Sequence, residues 1–474
     1  MLCSLGTASF WLPALWSYEV QVNSDRATAA QAVLAVTQHD RTIDWFERSR
    51  TPLTPLAREI SYGVLRYLPG LTREIETLVQ SPLRNKDRDI MCLLLVGAYQ
   101  LHFMRIPTHA VINETVAVVK KKPWAKGLIN AVLRRMARQI EDQADQSLDK
   151  PLTHLPAREQ FPPWLVAQIR AQHPVQADAF LFASLQRAPM TLRINTSQVD
   201  PDVYQRVLDK AAIGYRRTPL PESLILNQPR PVDELPGFSE GLVSVQDLGA
   251  QYAAHLLFPD AASPQPWLTL DACAGPGGKL FHGIERIQQL GVKGIFHAIE
   301  VDPRRAQLTV QSKDRLGHKA SITIADATTS DWWDGQRFSH ILIDAPCSGT
   351  GTIRRHPDIK VLLKPEDIAR HNEKQTMLLN NLWSMLQPGG TLLYCTCSIL
   401  DQENDEVIER FVTNQETGRN TRPLIDSITL PMGHARRYGW QLLPTDIASL
   451  PGPIDERTDG FYFARLRRPE VAKR

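Results

Sequence analysis

Acid and base nearly cancel in this chain: 54 Lys and Arg against 51 Asp and Glu leave a formal net charge of +3. A nucleic-acid partner therefore leaves no mark on the total and has to show in local clustering. Cysteine is scarce, with 6 in 474 residues, which excludes a disulfide-stapled secreted scaffold and makes a reduced, cytoplasmic setting the expectation. Long apolar runs are missing too. No stretch reaches the ~18–20 apolar residues that cross a bilayer, so no membrane association is expected. The mildly apolar start from Met1 to Tyr18 contains Pro13 and has no basic n-region, and reads as a lead-in over 1–24 rather than a signal peptide. Cys395-x-Cys397 has no second pair and no matching histidine beside it, a poor zinc spacing, so no metal is expected. Internal repeats are absent, and nothing in the pattern demands more than a monomer.

The length suggests two to four domains. From Asp25 to Arg138 apolar residues recur at helical spacing without a strand between them, which predicts an all-α domain over 25–145. Its C-terminal half is charged in one sense: Arg105, Lys120, Lys121, Lys122, Lys126, Arg134, Arg135 and Arg138 stand against Glu114 alone. A solvated helix face is the plain reading of a charge run, but one this lopsided favours contact with an RNA backbone, and Lys121, Lys122, Arg134 and Arg135 are the candidates. A polar, proline-bearing stretch over 146–163 has linker composition. Short strand patterns around the helix DPDVYQRVLDKAA predict a small α/β subdomain over 164–240. From 241 to 474, apolar β-rich segments alternate with helices, the pattern of a doubly wound parallel sheet. YGWQLLP and GFYFARLRR suggest an antiparallel hairpin at its edge.

The first of these strands runs into Cys273, Ala274, Gly275, Pro276, Gly277, Gly278 and Lys279. Glycines there let backbone approach a ligand at the switch point of an open sheet. A nicotinamide dinucleotide site would require G-x-G-x-x-G, which this turn lacks. The second strand ends at Glu300, placed to accept from ribose hydroxyls. Asp302 is the alternative, its other role being to cap the helix that starts at Pro303. Asp326 closes the third strand, where it would meet an adenine amino group. The fourth ends in Asp344-Ala345-Pro346-Cys347 and the fifth in Tyr394-Cys395-Thr396-Cys397. Two adjacent strands thus deliver cysteines to the edge that carries the cofactor turn. Were the nucleoside held at that turn a methyl donor, two thiols beside it would suit one chemical problem. C5 of cytosine is a poor nucleophile until a thiolate adds to C6, and a base must then take the C5 proton before the thiolate can leave. Asp344 is placed to bind the N3 and amino edge of the base.

CAGPGGK, IDAPCSGTG, RRHPDIK and YCTCS, with VQDLGAQ before the sheet and DGFYFARL at its close, resemble the motifs of the Nol1/Nop2/Sun family of RNA cytosine-C5 methyltransferases. The resemblance implies a Rossmann-like class I methyltransferase domain that uses S-adenosylmethionine, held by Cys273 to Lys279, Glu300, Asp326 and Asp344. It also implies that Cys397 is the nucleophile and that Cys347 assists product release, and it leaves Cys395 as strand packing. IPTHAVINETV followed by INAVLRR resembles a NusB-like RNA-binding domain. The combination is similar to the bacterial Sun type, whose substrate is 16S ribosomal RNA. The family has Ala where Gly275 stands, Thr where Leu280 stands and Trp where Val361 stands; these departures touch substrate fit and leave the cysteines alone. Arg354, Arg355, His356 and Lys360 lie in the loop beside Cys347, so an RNA-backbone contact is expected of Arg354, Arg355 and Lys360. Two readings compete with rRNA methylation: a tRNA cytosine-C5 methyltransferase, and a non-catalytic RNA-binding or assembly factor that has kept the fold.

Overall fold

The computed structural model of the chain describes residues 24–49, 52–144, 156–259, 266–415, 422–445 and 458–470. Nearly all of the expected lead-in and most of the expected linker lie outside these residues. The chain divides into two compact units, Met1–Val64 with Leu71–His154, and Leu65–Gly70 with Leu155–Arg474. Among the described residues no helix is long and apolar enough to cross a membrane.

The described part of the first unit is helical throughout, as its periodicity predicts. The helix Arg88–Phe103 is apolar almost all round and is buried almost all round, which makes it the central one. At Gly97 it meets the helix Pro123–Ala144 closely enough that an added Cβ would lie 2.5 Å from Leu133. That second helix turns Ile129, Val132, Leu133 and Met136 inward and leaves Arg134, Arg135 and Arg138 exposed.

The second unit holds two sheets. The smaller has β1 (Thr191–Ile194), β2 (Tyr215–Arg217), β3 (Ser223–Leu226) and β4 (Val243–Val245), in the order β2-β3-β1-β4 and antiparallel throughout. The expected helix follows β1 as Pro201–Lys210. Asp200 caps it, accepting from the backbone of Asp202 and Val203. Composition placed the edge of this subdomain at 240, whereas β4 carries its sheet past that residue. The described end of the linker is not free chain either: Gln160 and Phe161 are buried.

The larger sheet has β5 (Trp267–Asp271), β6 (Gly294–Glu300), β7 (Ser321–Ile324), β8 (Phe338–Asp344), β9 (Leu386–Thr396), β10 (Leu424–Asp426), β11 (His434–Ala435), β12 (Trp440–Leu442) and β13 (Phe461–Arg467). Its order is β11-β12-β13-β9-β8-β5-β6-β7, with β10 against β13. The run β9-β8-β5-β6-β7 is parallel. The chain winds out from β5 to β7 and then crosses back to β8, so the switch point lies between β5 and β8, where such sheets bind ligands. The β12–β13 antiparallel pairing forms as expected, but β13 is interior, seated between β12 and β9. Strand alternation splits the core across the two faces. On β9, Leu393 and Cys395 enter one cluster with Phe281, Ile284 and Phe463. Leu392 and Tyr394 enter the other with Leu379, Leu382 and Phe411.

One buried ion pair ties the small sheet to the helix Gly278–Gln289. Arg193 on β1 is 1% exposed. It donates through two nitrogens to the two oxygens of Glu285, both at 2.9 Å, and through a third to the Gly278 carbonyl at 2.6 Å. Breaking such a pair from one side strands a buried charge. Glu285→Ala is therefore expected to cost about 3–5 kcal/mol, read from the urea unfolding midpoint, while Glu285→Leu combined with Arg193→Met recovers most of the loss. A Glu285→Ala variant as stable as the parent would refute the assignment.

Candidate active site

Four strand ends build the site. Asp271 closes β5, Glu300 closes β6, Asp344 closes β8, and Cys397 follows the last residue of β9. Parallel pairing sets Asp344 opposite Cys395. The pairing runs on beyond the strands: Ala345 N–H donates to the Cys395 carbonyl at 2.8 Å and Gly351 N–H to the Cys397 carbonyl at 2.9 Å. The sulfurs of Cys347 and Cys397 consequently lie 3.5 Å apart although 50 residues separate them. Both side chains are half-buried, whereas Cys395 is fully buried and points its thiol at Asp344 Oδ1, 3.6 Å away. The hydrogen bond to Cys397, then burial, then the charges of Cys397 and Glu403 hold the Cys347 thiol well above its usual range. Burial does the same to Cys395, reinforced by Asp344.

Lys279, at the start of the helix Gly278–Gln289, donates from Nζ to Asp344 Oδ2 at 2.6 Å. Burial works to lower its ammonium, but Asp344 beside it prevails and raises it. Asp271 was absent from the sequence-based candidates. It is 2% exposed, its Oδ2 has no hydrogen-bond partner, and burial, followed by the charge of Asp344, pushes its carboxyl up to about 7. Its place as the last strand residue before the glycine turn was the one signal that could have found it.

The turn itself is shaped to receive a ligand. Gly275 has φ 56° and an added Cβ there would meet nothing within 4 Å, so its face is open; Gly277 has φ 89° and packs against Phe281. Glu300 is buried beneath the turn, accepting from Gly275 N–H at 2.9 Å and Asp302 N–H at 2.8 Å, with Arg305 at 2.8 Å. Asp302 is occupied as the cap of the helix Pro303–Leu316, which leaves Glu300 as the acid facing the turn. Asp326 is half-buried and accepts from both the N–H and the hydroxyl of Thr328. Cys273 is half-buried in the same turn, and burial raises its thiol.

The expected RNA contacts divide. Arg354 and Lys360 are 4% and 2% exposed, so neither offers its charge to a phosphate. Arg354 pairs with Asp459, and Arg355 spans Asp459 and Asp247. Lys360 donates to the Gln160 and Arg66 carbonyls at 2.5 and 2.6 Å, and burial depresses its ammonium strongly. This loop is an internal brace because acids distant in sequence, from VQDLGAQ and DGFYFARL, fold over it. Gly351 and Gly460 touch backbone to backbone beside it: a Cβ on Gly351 would sit 2.3 Å from the Gly460 carbonyl oxygen. In the helical unit Lys122 is tied to Asp87 and Asp89 at 3.1 and 2.7 Å. Those acids lie upstream of the stretch whose charges were counted. Lys121, Arg134 and Arg135 remain exposed.

The chain matches the family described as 16S rRNA methyltransferase RsmB/F over residues 261–467. It matches the NusB family over 18–138 and the RsmF/B-like ferredoxin-like domain over 161–233. It is similar to the ribosomal RNA small subunit methyltransferase B of Pseudomonas syringae pv. tomato, 41% identical over 87% of this chain and 88% of that one. It is also similar to the probable ribosomal RNA small subunit methyltransferase B of Coxiella burnetii, 37% identical over 93% of this chain and 98% of that one. Among solved structures it shares the fold of PH0851, with a TM-score of 0.73 at 20% identity over 94% of this chain and 100% of that one. It also shares the fold of NSun6 from Pyrococcus horikoshii with SFG, with a TM-score of 0.56 at 18% identity over 67% of this chain and 100% of that one.

The raised carboxyl of Asp271 makes stability depend on pH. A carboxyl whose folded pKa exceeds its unfolded value binds its proton more tightly when native. It adds stability below about pH 4, and that contribution is lost as pH rises through about 7. Between about pH 5 and pH 8 the urea midpoint of Asp271→Asn is expected to fall less than that of the parent. Parallel declines would show that Asp271 is ionised throughout.

Proposed function

The chain belongs to the 16S rRNA methyltransferase RsmB/F family, and from that premise we propose that it methylates C5 of a specific cytosine in 16S ribosomal RNA through a covalent adduct between Cys397 and C6. The observation that carries the reading is the pair of thiols 3.5 Å apart at the carboxyl edge, next to the Lys279–Asp344 pair and the glycine turn. S-adenosylmethionine supplies the methyl group from its sulfonium. The residues present suit it: the turn from Cys273 to Lys279 has an open face at Gly275, Glu300 ends β6, Asp326 lies two residues past the end of β7, and Asp271 offers a buried carboxyl oxygen without a partner.

The chain's own groups divide the work. Cys397, as thiolate, attacks C6 and turns C5 into an enamine-like carbon. The Lys279–Asp344 pair presents a donor and an acceptor together, matching the N3 and amino edge of the base. Cys347, beside the adduct, gives its own proton to solvent once Cys397 is bonded to carbon and no longer shares a proton with it, and as thiolate takes the C5 proton; the C6–sulfur bond then breaks and Cys397 leaves as thiolate. The two roles need two sulfurs, because Cys397 is bonded to carbon when the proton must move. The target must leave its stack to reach half-buried thiols, which favours an unpaired stretch of RNA. Exposed Lys121, Arg134 and Arg135 are the cations that would meet the RNA backbone without reading its sequence.

Cys397→Ala is expected to lower methyl transfer by about a thousandfold or more, with S-adenosylmethionine binding retained by calorimetry. Cys347→Ala is expected instead to accumulate a covalent enzyme–RNA band on denaturing gels, since addition proceeds and release fails. Normal turnover by Cys397→Ala would sink the nucleophile assignment. Bisulfite sequencing of rRNA and tRNA from a deletion strain identifies the substrate: loss of one 16S cytosine mark is expected, and loss of a tRNA mark alone would overturn the rRNA reading.

A further inference from the structure

A carboxylate outside the motifs ties together the residues that follow the two cysteines. Glu403, in the short 3₁₀ turn Asp401–Glu403, is 0% exposed, and no lysine, arginine or histidine among the described residues pairs with it. An uncompensated buried charge is costly and persists only where hydrogen bonds saturate it. Here the donors come from the residue after each cysteine. Glu403 Oε1 accepts from Ser348 N–H at 2.7 Å. Its Oε2 accepts from the Ser348 hydroxyl and, at 2.6 Å, from the Ser398 hydroxyl. Thr350 closes the ring, 3.1 Å from Ser398 Oγ and accepting from Ile399 N–H at 3.1 Å. Tyr394 anchors the turn from below by donating its hydroxyl to the Glu403 carbonyl at 2.6 Å.

We propose that Glu403 is the positioning residue of the thiol pair: a single buried carboxylate that, through Ser348 and Ser398, sets the spacing of Cys347 and Cys397. The role assigned to the two sulfurs rests on the reading given under Proposed function; the clamp itself is a property of the folded chain. Side-chain hydroxyls and one N–H hold both loops to one point, so neither cysteine can drift without breaking a bond to a buried charge. A displacement of about 1 Å in such a constellation costs up to about a hundredfold in rate. The carboxylate also acts at a distance. Cys347 faces Cys397, Glu403 and Tyr394, while Lys279 acts on the Cys397 side. The Glu403 charge favours the protonated form of Cys347.

Glu403→Gln keeps the shape and removes both the charge and one of the two accepting oxygens. In the full chain it is expected to bind S-adenosylmethionine within about twofold of the parent, and to lose about tenfold or more in kcat with little change in KM for RNA. Alkylation of Cys347 by iodoacetamide, followed on its peptide by mass spectrometry without RNA or cofactor, is expected to reach half-maximal rate about one pH unit lower. Ser398→Ala cuts one tie and keeps the charge, so kcat falls several-fold while the alkylation pH stays where it was. A Glu403→Gln variant with unchanged kcat and alkylation pH overturns the proposal, as does a loss of activity matched by an equal loss of cofactor binding. If Glu403→Gln fails to fold, an unchanged kcat in Ser398→Ala overturns it. An alkylation shift in a chain that methylates no cytosine would instead support the clamp and refute the proposed reaction.

Discussion

Parallel pairing of β8 with β9, in the register that sets Asp344 opposite Cys395, is the constraint on which the rest depends. The sheet's side-chain period is two residues, so a slip by one would send every β9 side chain to the opposite face. Cys395 would leave the cluster it shares with Phe281 and Phe463, and Tyr394 would leave the one it shares with Leu379 and Phe411. Both faces are buried, so the register is held from both sides. The loops beyond the strands inherit it through the N–H of Ala345 and of Gly351, and the two sulfurs meet as a result. The chemistry at the edge is thus set by packing well below it.

Charge inside the catalytic unit is used mainly for construction. Arg193 and Glu285 join the small sheet to the helix that begins at the cofactor turn. Asp247 and Asp459 fold over Arg354 and Arg355, and the close approach of Gly351 and Gly460 leaves no room for a side chain between them. Lys360 ends on two carbonyls, with burial lowering its ammonium. Each contact joins segments far apart in sequence, and those of Arg354, Arg355 and Lys360 hold the loop that carries Cys347. On the helical unit, by contrast, Arg134 and Arg135 keep their charge on the surface.

Much of the fold was legible in the sequence because it rests on local pattern. Helical periodicity marked the first unit. The alternation of apolar strands with helices marked the doubly wound sheet, and GPGG after the first strand marked its open turn. The legible part of the site consisted of residues at strand ends, where position in the chain and position in space coincide. Glu300 and Asp302 looked alike in the sequence, two acids at one turn: Glu300 ends β6 and is buried under the glycine turn, while Asp302 caps the next helix. The basic loop misled, because a run of Arg-Arg-His with a following Lys looks identical whether it faces water or two buried aspartates.

The sequence by itself determined which groups arrive at the carboxyl edge. Strand ends are written in the apolar pattern that precedes them, and the cysteines, Asp344 and the glycines sit at those ends. Only the tertiary structure decided what each group does on arrival. Asp271 becomes a raised carboxyl with one unpartnered oxygen because the core, and then Asp344, close around it. Arg354 and Lys360 become internal braces because distant carboxylates and carbonyls reach them first. Glu403 binds Ser348 and Ser398 together because the turn after β9 folds back against the loop from β8. Burial and pairing are relations between segments far apart in the chain, and no local pattern records them.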